Sequence, residues 1–324
     1  MTHRIALIGL AFAVGLVATA SAHAQDYPSK GLRVIVSSAA GGPIDIAARV
    51  ISQHLSDLWK QPVTVENRPG AGEIIGTEAV SRAAPDGYTL LVTSLNPFAI
   101  NPVVFTKLPY DPDRSFAPIA LITRNPMVFV ASPKSNLNSL SELIARAKSR
   151  PGEMQWSSPG LATTNHITGE WFASEAGIKL FHVPYKGGPA AASAIVAGDV
   201  EFGVVSLINA LPLAKTVGPK IIAVTTGRRT PLAPDWPTIA ELGIAGFDAS
   251  VQSAMFAPAG TPTAIVSKLT ADVNRALLLS DTREKFAALG VDPVGSTAEE
   301  LANIISRQRA KIKEIVERSQ MKVQ

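Results

Sequence analysis

The sequence predicts a two-domain α/β protein, and three observations carry that reading. Apolar runs of strand length alternate with segments of helical periodicity, the pattern of a sheet with crossover helices. About 300 residues remain after an N-terminal leader, long for one domain and comfortable for two. Apolar residues make up 46% of the chain, ample for packed cores.

The leader comes first. Met1-Thr2-His3-Arg4 carries positive charge and runs into Ile5–Ala18, which has no ionisable side chain. At the helical rise that stretch reaches about 21 Å against a hydrocarbon core of roughly 30 Å, so a permanent anchor is the weaker reading. Ala22-His23-Ala24 then supplies the small residues a signal peptidase needs, so residues 1–24 read as a signal peptide cleaved after Ala24. With no Cys there is no lipid-modified N-terminal Cys, disulfide framework or thiolate metal site. The mature chain is expected to be free in the periplasm.

Strands are expected at Leu32–Ser37, Val63–Asn67 and Tyr88–Thr93. Between the first two, Ile46, Ala47, Val50, Ile51, Leu55 and Leu58 share one helical face. Ser139 with Glu142 forms a capping box that opens a helix running to Ser149, where Pro151-Gly152 stops it. Further strands fall near Met154–Ser158, Leu180–Tyr185, Val200–Ser206 and Lys220–Thr226, with helices between them. Thr261-Pro262 places a cap and an N1 proline at the head of a helix reaching about Leu279, and Thr297 with Glu300 opens the last helix. Most connections therefore read as short, parallel-type crossovers.

Charge excludes one class of partner. Removing Arg4 lowers the net charge from +4 to about +3, too mild for nucleic acid. The densest basic run, Arg307 to Lys313, is interleaved with Leu301, Ile304, Ile305, Ile312, Ile315 and Val316, the solvated face of an amphipathic helix.

Common enzyme signatures are missing: no G-x-S-x-G elbow, H-E-x-x-H pair or G-x-x-x-x-G-K loop occurs. His54, His166 and His182 have no partners at metal-ligand spacing, and His54 reads as a packed helix position. Gly70-Ala71-Gly72-Glu73-Ile74-Ile75-Gly76 resembles a dinucleotide loop with one residue too many. The next strand ends Val92-Thr93-Ser94, without the acid that would hold a ribose, so a structural turn is the better reading. No cofactor or metal is expected.

Two strand-to-helix turns are more informative. In Ser37-Ser38-Ala39-Ala40-Gly41-Gly42-Pro43-Ile44-Asp45, Gly41 and Gly42 let a ligand approach the backbone, and a helix N-terminus favours an anion. Ser157-Ser158-Pro159-Gly160-Leu161-Ala162-Thr163-Thr164-Asn165-His166 repeats the design in the other half. Both suit a carboxylate, and both are also compatible with tight turns carrying ordinary N-caps. Because they lie in different halves, one ligand can be held between domains.

Along its mature length the chain resembles a tripartite tricarboxylate transporter substrate-binding protein of the Bordetella uptake gene type. The matching stretches are Tyr27-Pro28, Ala39-Ala40-Gly41-Gly42-Pro43 with Asp45, Glu66-Asn67-Arg68-Pro69-Gly70-Ala71-Gly72, and Ala84-Pro85-Asp86-Gly87-Tyr88-Thr89-Leu90-Leu91. They continue with Asn101-Pro102, Leu108-Pro109-Tyr110-Asp111, His166, Val183-Pro184-Tyr185-Lys186-Gly187, Pro237-Thr238 with Glu241 and Gly243, and Ala257-Pro258-Ala259-Gly260-Thr261-Pro262.

The resemblance implies a periplasmic-binding-protein type II-like fold, two doubly wound α/β domains joined by two crossover strands in a Venus flytrap. It implies residues 25–125 with 250–324 as one domain and 126–249 as the other. It carries ligand binding to Ala40, Gly41, Gly42 and Asp45 in the first loop and to Ser158, Gly160, Ala162, Thr163 and Thr164 in the second, with Val205 nearby. Asp45 either orients waters or caps its loop, or complements the helix dipole as a first-turn acid.

Some positions depart from the resemblance. Relatives usually have Gly-Asn at Glu73-Ile74, Gly at Ala162, an aromatic near Gln252 and often an acid near Val205. Such changes would alter the pocket's size and its tolerance for amines. The function implied is a monomeric extracytoplasmic receptor that captures a small organic acid and hands it to the permease subunits of a tripartite tricarboxylate-type transporter. A sensory protein presenting ligand to a membrane receptor is the alternative, and an exported enzyme with an unrecognised site a weaker one.

Overall fold

The computed structural model describes residues 27–214, 218–230 and 234–319, so the leader and its cleavage site lie outside the described residues. Strands β1 (Leu32–Val36), β2 (Val63–Asn67) and β3 (Thr89–Ser94) run parallel in the order β2-β1-β3, with Val34 opposite both Val65 and Leu90. Their apolar runs are buried by helix α1 (Pro43–Trp59), which turns Ile44, Ala47, Ala48, Ile51 and Leu55 onto Val34, Val36, Leu90 and Val92. Leu58, placed on that face by periodicity, is 41% exposed, because it lies in the helix's last turn, where left-handed Lys60 leads the chain away. Helix α2 (Ile74–Ser81) closes on β1 through Gly76, where a Cβ would stand 2.8 Å from Ser37 Cα. Two short turns follow β3, α3 (Asn96–Ala99) and α4 (Asn101–Val104).

Strand β4 (Phe116–Ala131) is 16 residues long and belongs to both halves of the molecule. Its first part pairs antiparallel with β9 (Ser250–Pro258), from Phe116 opposite Pro258 to Pro126 opposite Ser250. Its last part pairs with β7 (Phe202–Ser206) and β8 (Lys220–Val224), placing Val128 opposite Val205 and Val224. With β5 (Gln155–Ser158) and β6 (Phe181–Pro184) the order reads β2-β1-β3-β9-β4-β7-β5-β6.

Around the second half lie α5 (Leu140–Ser149), α6 (Thr164–Ala176), α7 (Gly188–Ala197) and α8 (Leu207–Ala214). After β9 come α9 (Thr263–Leu278), α10 (Ser280–Ala288), the short β10 (Asp292–Pro293) against β4, and α11 (Ala298–Ser319). Helix α11 bridges the halves: Leu301 packs with Ile35 and Phe98, while Ile312, Ile315 and Val316 join the cluster of Trp171 and Phe172. Arg309 fixes its middle, donating to Asp113 at 2.9 and 2.8 Å and to the Phe98 carbonyl at 2.8 Å. The mixed α/β layout, two wound sheets sharing long central strands, is the expected two-domain type.

Capping chemistry sets several boundaries. Ser139 accepts from Glu142 N–H at 3.2 Å, and Thr297 and Glu300 cap each other reciprocally at 3.1 and 2.8 Å. Two expectations need correction. Helix α9 starts at Thr263 with Pro262 as its N-cap, since the Thr261 hydroxyl donates to the Pro258 carbonyl instead of capping. Parallel crossovers hold within each half, for β1 with β2 and β3 and for β5 with β6 and β7, but β9 lies antiparallel to β3 and β4, where the chain passes between the halves, and β8 antiparallel to β4.

Candidate functional site

Both expected loops emerge at the carboxyl ends of parallel strands, β1 and β5, and lead into α1 and α6. In the first, Gly41 adopts φ +80°, which favours glycine, and a Cβ there would meet nothing within 4 Å. Ala40 and Gly41 are exposed and Gly42 half-buried, so this backbone faces open space. Gly41 N–H donates to Asp45 Oδ2 at 2.9 Å, Arg49 Nε to the same oxygen at 3.0 Å, and Asn67 Nδ2 to Oδ1 at 2.9 Å. Burial alone would raise the Asp45 pKa, but the Arg49 guanidinium, the Gly41 amide and Asn67 outweigh it and hold the carboxyl below its usual range. Of the roles open from sequence, the geometry gives Asp45 that of a loop cap.

In the second loop, Thr163 is the N-cap of α6: its hydroxyl accepts from His166 N–H at 3.2 Å and donates to the Gly160 carbonyl at 2.8 Å. Ser158 Oγ accepts from Gly160 N–H at 3.2 Å and lies 2.7 Å from His182 Nε2. Ala162, with φ +58°, holds a conformation that glycine adopts without strain, and its N–H points to His166 Nδ1 at 3.3 Å. The His166 and His182 rings stack with centroids 4.1 Å apart, and His182 also lies against Trp156. Burial lowers His166 to about 4, and burial with the neighbouring His166 lowers His182 to about 3, so both stay neutral near neutral pH.

Each loop touches the opposite half at one point, without a direct contact between the two loops being needed. Ala39 Cβ lies 3.9 Å from where a Gly187 Cβ would be, and Gly187 N–H donates to the Pro159 carbonyl at 3.0 Å. Thr164 Oγ1 donates to Asn96 Oδ1 at 2.6 Å, joining the second loop to α3 of the first half. Val205 is placed differently: it is fully buried on β7 in the apolar cluster with Val128, Ala191 and Leu207.

Three surface hollows, of about 530, 490 and 560 Å³, lie elsewhere, beside Trp236, beside Arg124 with Arg228, and beside Val196. None has a residue of the two loops in its wall.

Sequence reasoning named Glu73 only as a departure near the pocket and left Asn96 out. Glu73 Oε2 accepts from Thr93 Oγ1 at 2.8 Å, Ser94 Oγ at 2.7 Å, Ser94 N–H at 3.2 Å and Ser37 Oγ at 3.4 Å. Burial raises its carboxyl pKa, and these hydrogen bonds only partly offset the effect. The local signals were present: Glu73 interrupts a glycine-rich turn, and Asn96-Pro97 marks a turn after a strand.

Residues 47–321 match the family described as the tripartite tricarboxylate transporter family receptor. The chain belongs to that family. Among the family's Bordetella relatives, Protein BugT of Bordetella pertussis is 35% identical over 307 residues, covering 94% of each chain. A UPF0065 protein of Cupriavidus necator is 32% identical over 320 residues, covering 98% of this chain and 97% of its own. Solved structures agree in fold: the periplasmic binding protein BugD has a TM-score of 0.85 at 30% identity, covering 92% of this chain and all 100% of BugD. MatC from Rhodopseudomonas palustris with bound malate gives 0.83 at 31% identity, covering 90% and 100%. The R. palustris protein Rpa4515 with adipate gives 0.87 at 28% identity, covering 91% and 98%. This receptor-family chain therefore has the two-domain type II periplasmic-binding-protein fold, and family and fold alike point to solute binding.

Proposed function

We propose that this receptor works in the periplasm, where it captures a small carboxylate between its two lobes and delivers it to the membrane subunits of a tripartite tricarboxylate-type transporter. The lobes are residues 25–125 with 250–324, and 126–249. One observation supports the reading: at the junction of the lobes the loop before α1 lies against Gly187, the N-cap of α7, and Thr164 at the head of α6 donates to Asn96 at the head of α3. Backbone N–H groups and helix dipoles on both sides favour a negative charge between them. The malate of MatC and the adipate of Rpa4515 are ligands of the matching chemistry.

Catalysis is not required. A ligand touching both lobes binds the closed form better than the open one, and only that difference shifts the hinge population. In this reading Ala40, Gly41, Gly42, Ser158, Gly160, Ala162, Thr163 and Thr164 form the walls. Native mass spectrometry of freshly purified protein tests it, followed by a thermal-shift panel of carboxylic acids. A carried-over acid recovered intact supports capture; its chemical turnover supports an enzyme. Uptake by a deletion strain separates transport from sensing, because loss of uptake follows only from a transport role.

A further inference from the structure

Two acids stand on the first-lobe side of the proposed cleft, and they differ in one respect. Asp45 is neutralised: Arg49 pairs with it, and its two oxygens accept from the Gly41 amide and from Asn67 at the end of β2. Glu73 has no such partner. Among the described residues, its hydrogen-bond donors are three hydroxyls and one amide, with no cation. All four meet Oε2, which leaves Oε1 for another partner.

Glu73 also lies on the line joining the two loops. Ser37, which donates to it, begins the first loop; Ser94, which donates to it twice, also accepts from Asn96 N–H at 3.0 Å. Asn96 in turn accepts from Thr164 at the head of α6. The residue as a whole is half-buried. The residue sits at φ +72°, a conformation that disfavours L side chains, so the acid is carried where glycine would be less strained.

Burial raises the Glu73 carboxyl pKa, but an ammonium placed beside it favours the charged form, and that form repels a second carboxylate. We infer that Glu73 is a specificity-determining residue, selecting ligands that carry an ammonium group at the first-lobe end and a carboxylate at the second-lobe end, and rejecting diacids of equal length. The ammonium would donate to Glu73 Oε1, while the carboxylate would meet the amides at the head of α6. This inference rests on the carboxylate-capture reading and deepens it.

The test is calorimetry on the mature protein with matched probes: β-alanine against malonate, 4-aminobutanoate against succinate, and 5-aminopentanoate against glutarate. The expected result is at least a tenfold preference for the amino acid in one pair, which falls to less than about threefold in Glu73→Gln. The wild-type comparison needs no variant, so a Glu73→Gln protein that failed to fold would leave the test standing. Equal or tighter binding of the diacids by wild type would overturn the role of Glu73 while leaving carboxylate capture intact. An unchanged preference in folded Glu73→Gln would do the same. Binding of none of the six probes would overturn both readings together.

Discussion

Thr164 Oγ1 donates to Asn96 Oδ1 at 2.6 Å, and the two residues belong to different halves of the molecule. The bond therefore forms only when α6 and α3 are close. Replacing Thr164 with Val keeps the shape and removes the donor, which leaves a buried acceptor on Asn96. A neutral hydrogen bond contributes about 0.5–1.5 kcal/mol net. Thr164→Val is expected to weaken ligand binding by roughly 2- to 12-fold and to enlarge the ligand-bound protein slightly in small-angle scattering. Unchanged affinity and unchanged dimensions would remove the latch from the closure mechanism.

Charge placed in the second loop tests the polarity of the site. Thr164→Glu sets a fixed negative charge at the head of α6, opposing both a bound acid and the helix dipole. Calorimetry is expected to show at least a tenfold loss, about 1.4 kcal/mol or more. The control is Asp57→Asn on the exposed face of α1, where, among the described residues, the carboxylate accepts from Gln53 at 3.2 Å. Binding there should be unaltered, and a large loss would mean that the pocket lies elsewhere.

Gly169 lies inside α6, and a Cβ on it would stand 2.2 Å from Trp156 Cη2. Trp156 has no room to retreat, since it is fully buried against Phe202 and His182. Ala is the better helix former by about 1 kcal/mol, but overpacking a rigid core costs about 1–3 kcal/mol. Gly169→Ala should therefore lower the urea midpoint, and a more stable variant would contradict this packing.

The histidine pair makes a signed pH prediction. Both bases have folded-state pKa values below the unfolded value of about 6.5, His166 at about 4 and His182 at about 3. Between those limits the unfolded chain binds more protons, so stability rises with pH. The pair's contribution is complete above about pH 6.5 and is lost as pH falls towards 3. Raised carboxyls such as Glu73 and Glu170 act in the opposite direction, so the readout is a difference between proteins. From pH 7 to pH 5 the urea midpoint of wild type should fall further than that of His182→Gln; parallel profiles would show that His182 does not titrate on unfolding.

The local parts of the fold were legible in the sequence. Strand β2 falls on Val63–Asn67 as expected, and the Ser139 and Thr297 caps mark their helices, because each signal lies within a few residues. The crossover strands were not legible as strands. Pro118 and Pro126 interrupt β4, and it pairs with a strand more than a hundred residues further along the chain. The prolines are tolerated because the β4–β9 register shifts just past Pro118 and the pairing ends at Pro126. The two loops were legible as loops, whereas the path Ser37–Glu73–Ser94–Asn96–Thr164 was not. Its last bond joins residues 68 positions apart, a closeness set by how the sheets pack and not by any local pattern.

The most direct measurement is a crystal structure of the mature protein with the acid it carries. The expected density places one carboxylate within hydrogen-bonding distance of the amides around Gly160–Thr164, with the ligand's other end reaching the Ala40–Gly42 side. A ligand seated instead in the hollow beside Trp236, or touching one lobe alone, would contradict capture between the lobes.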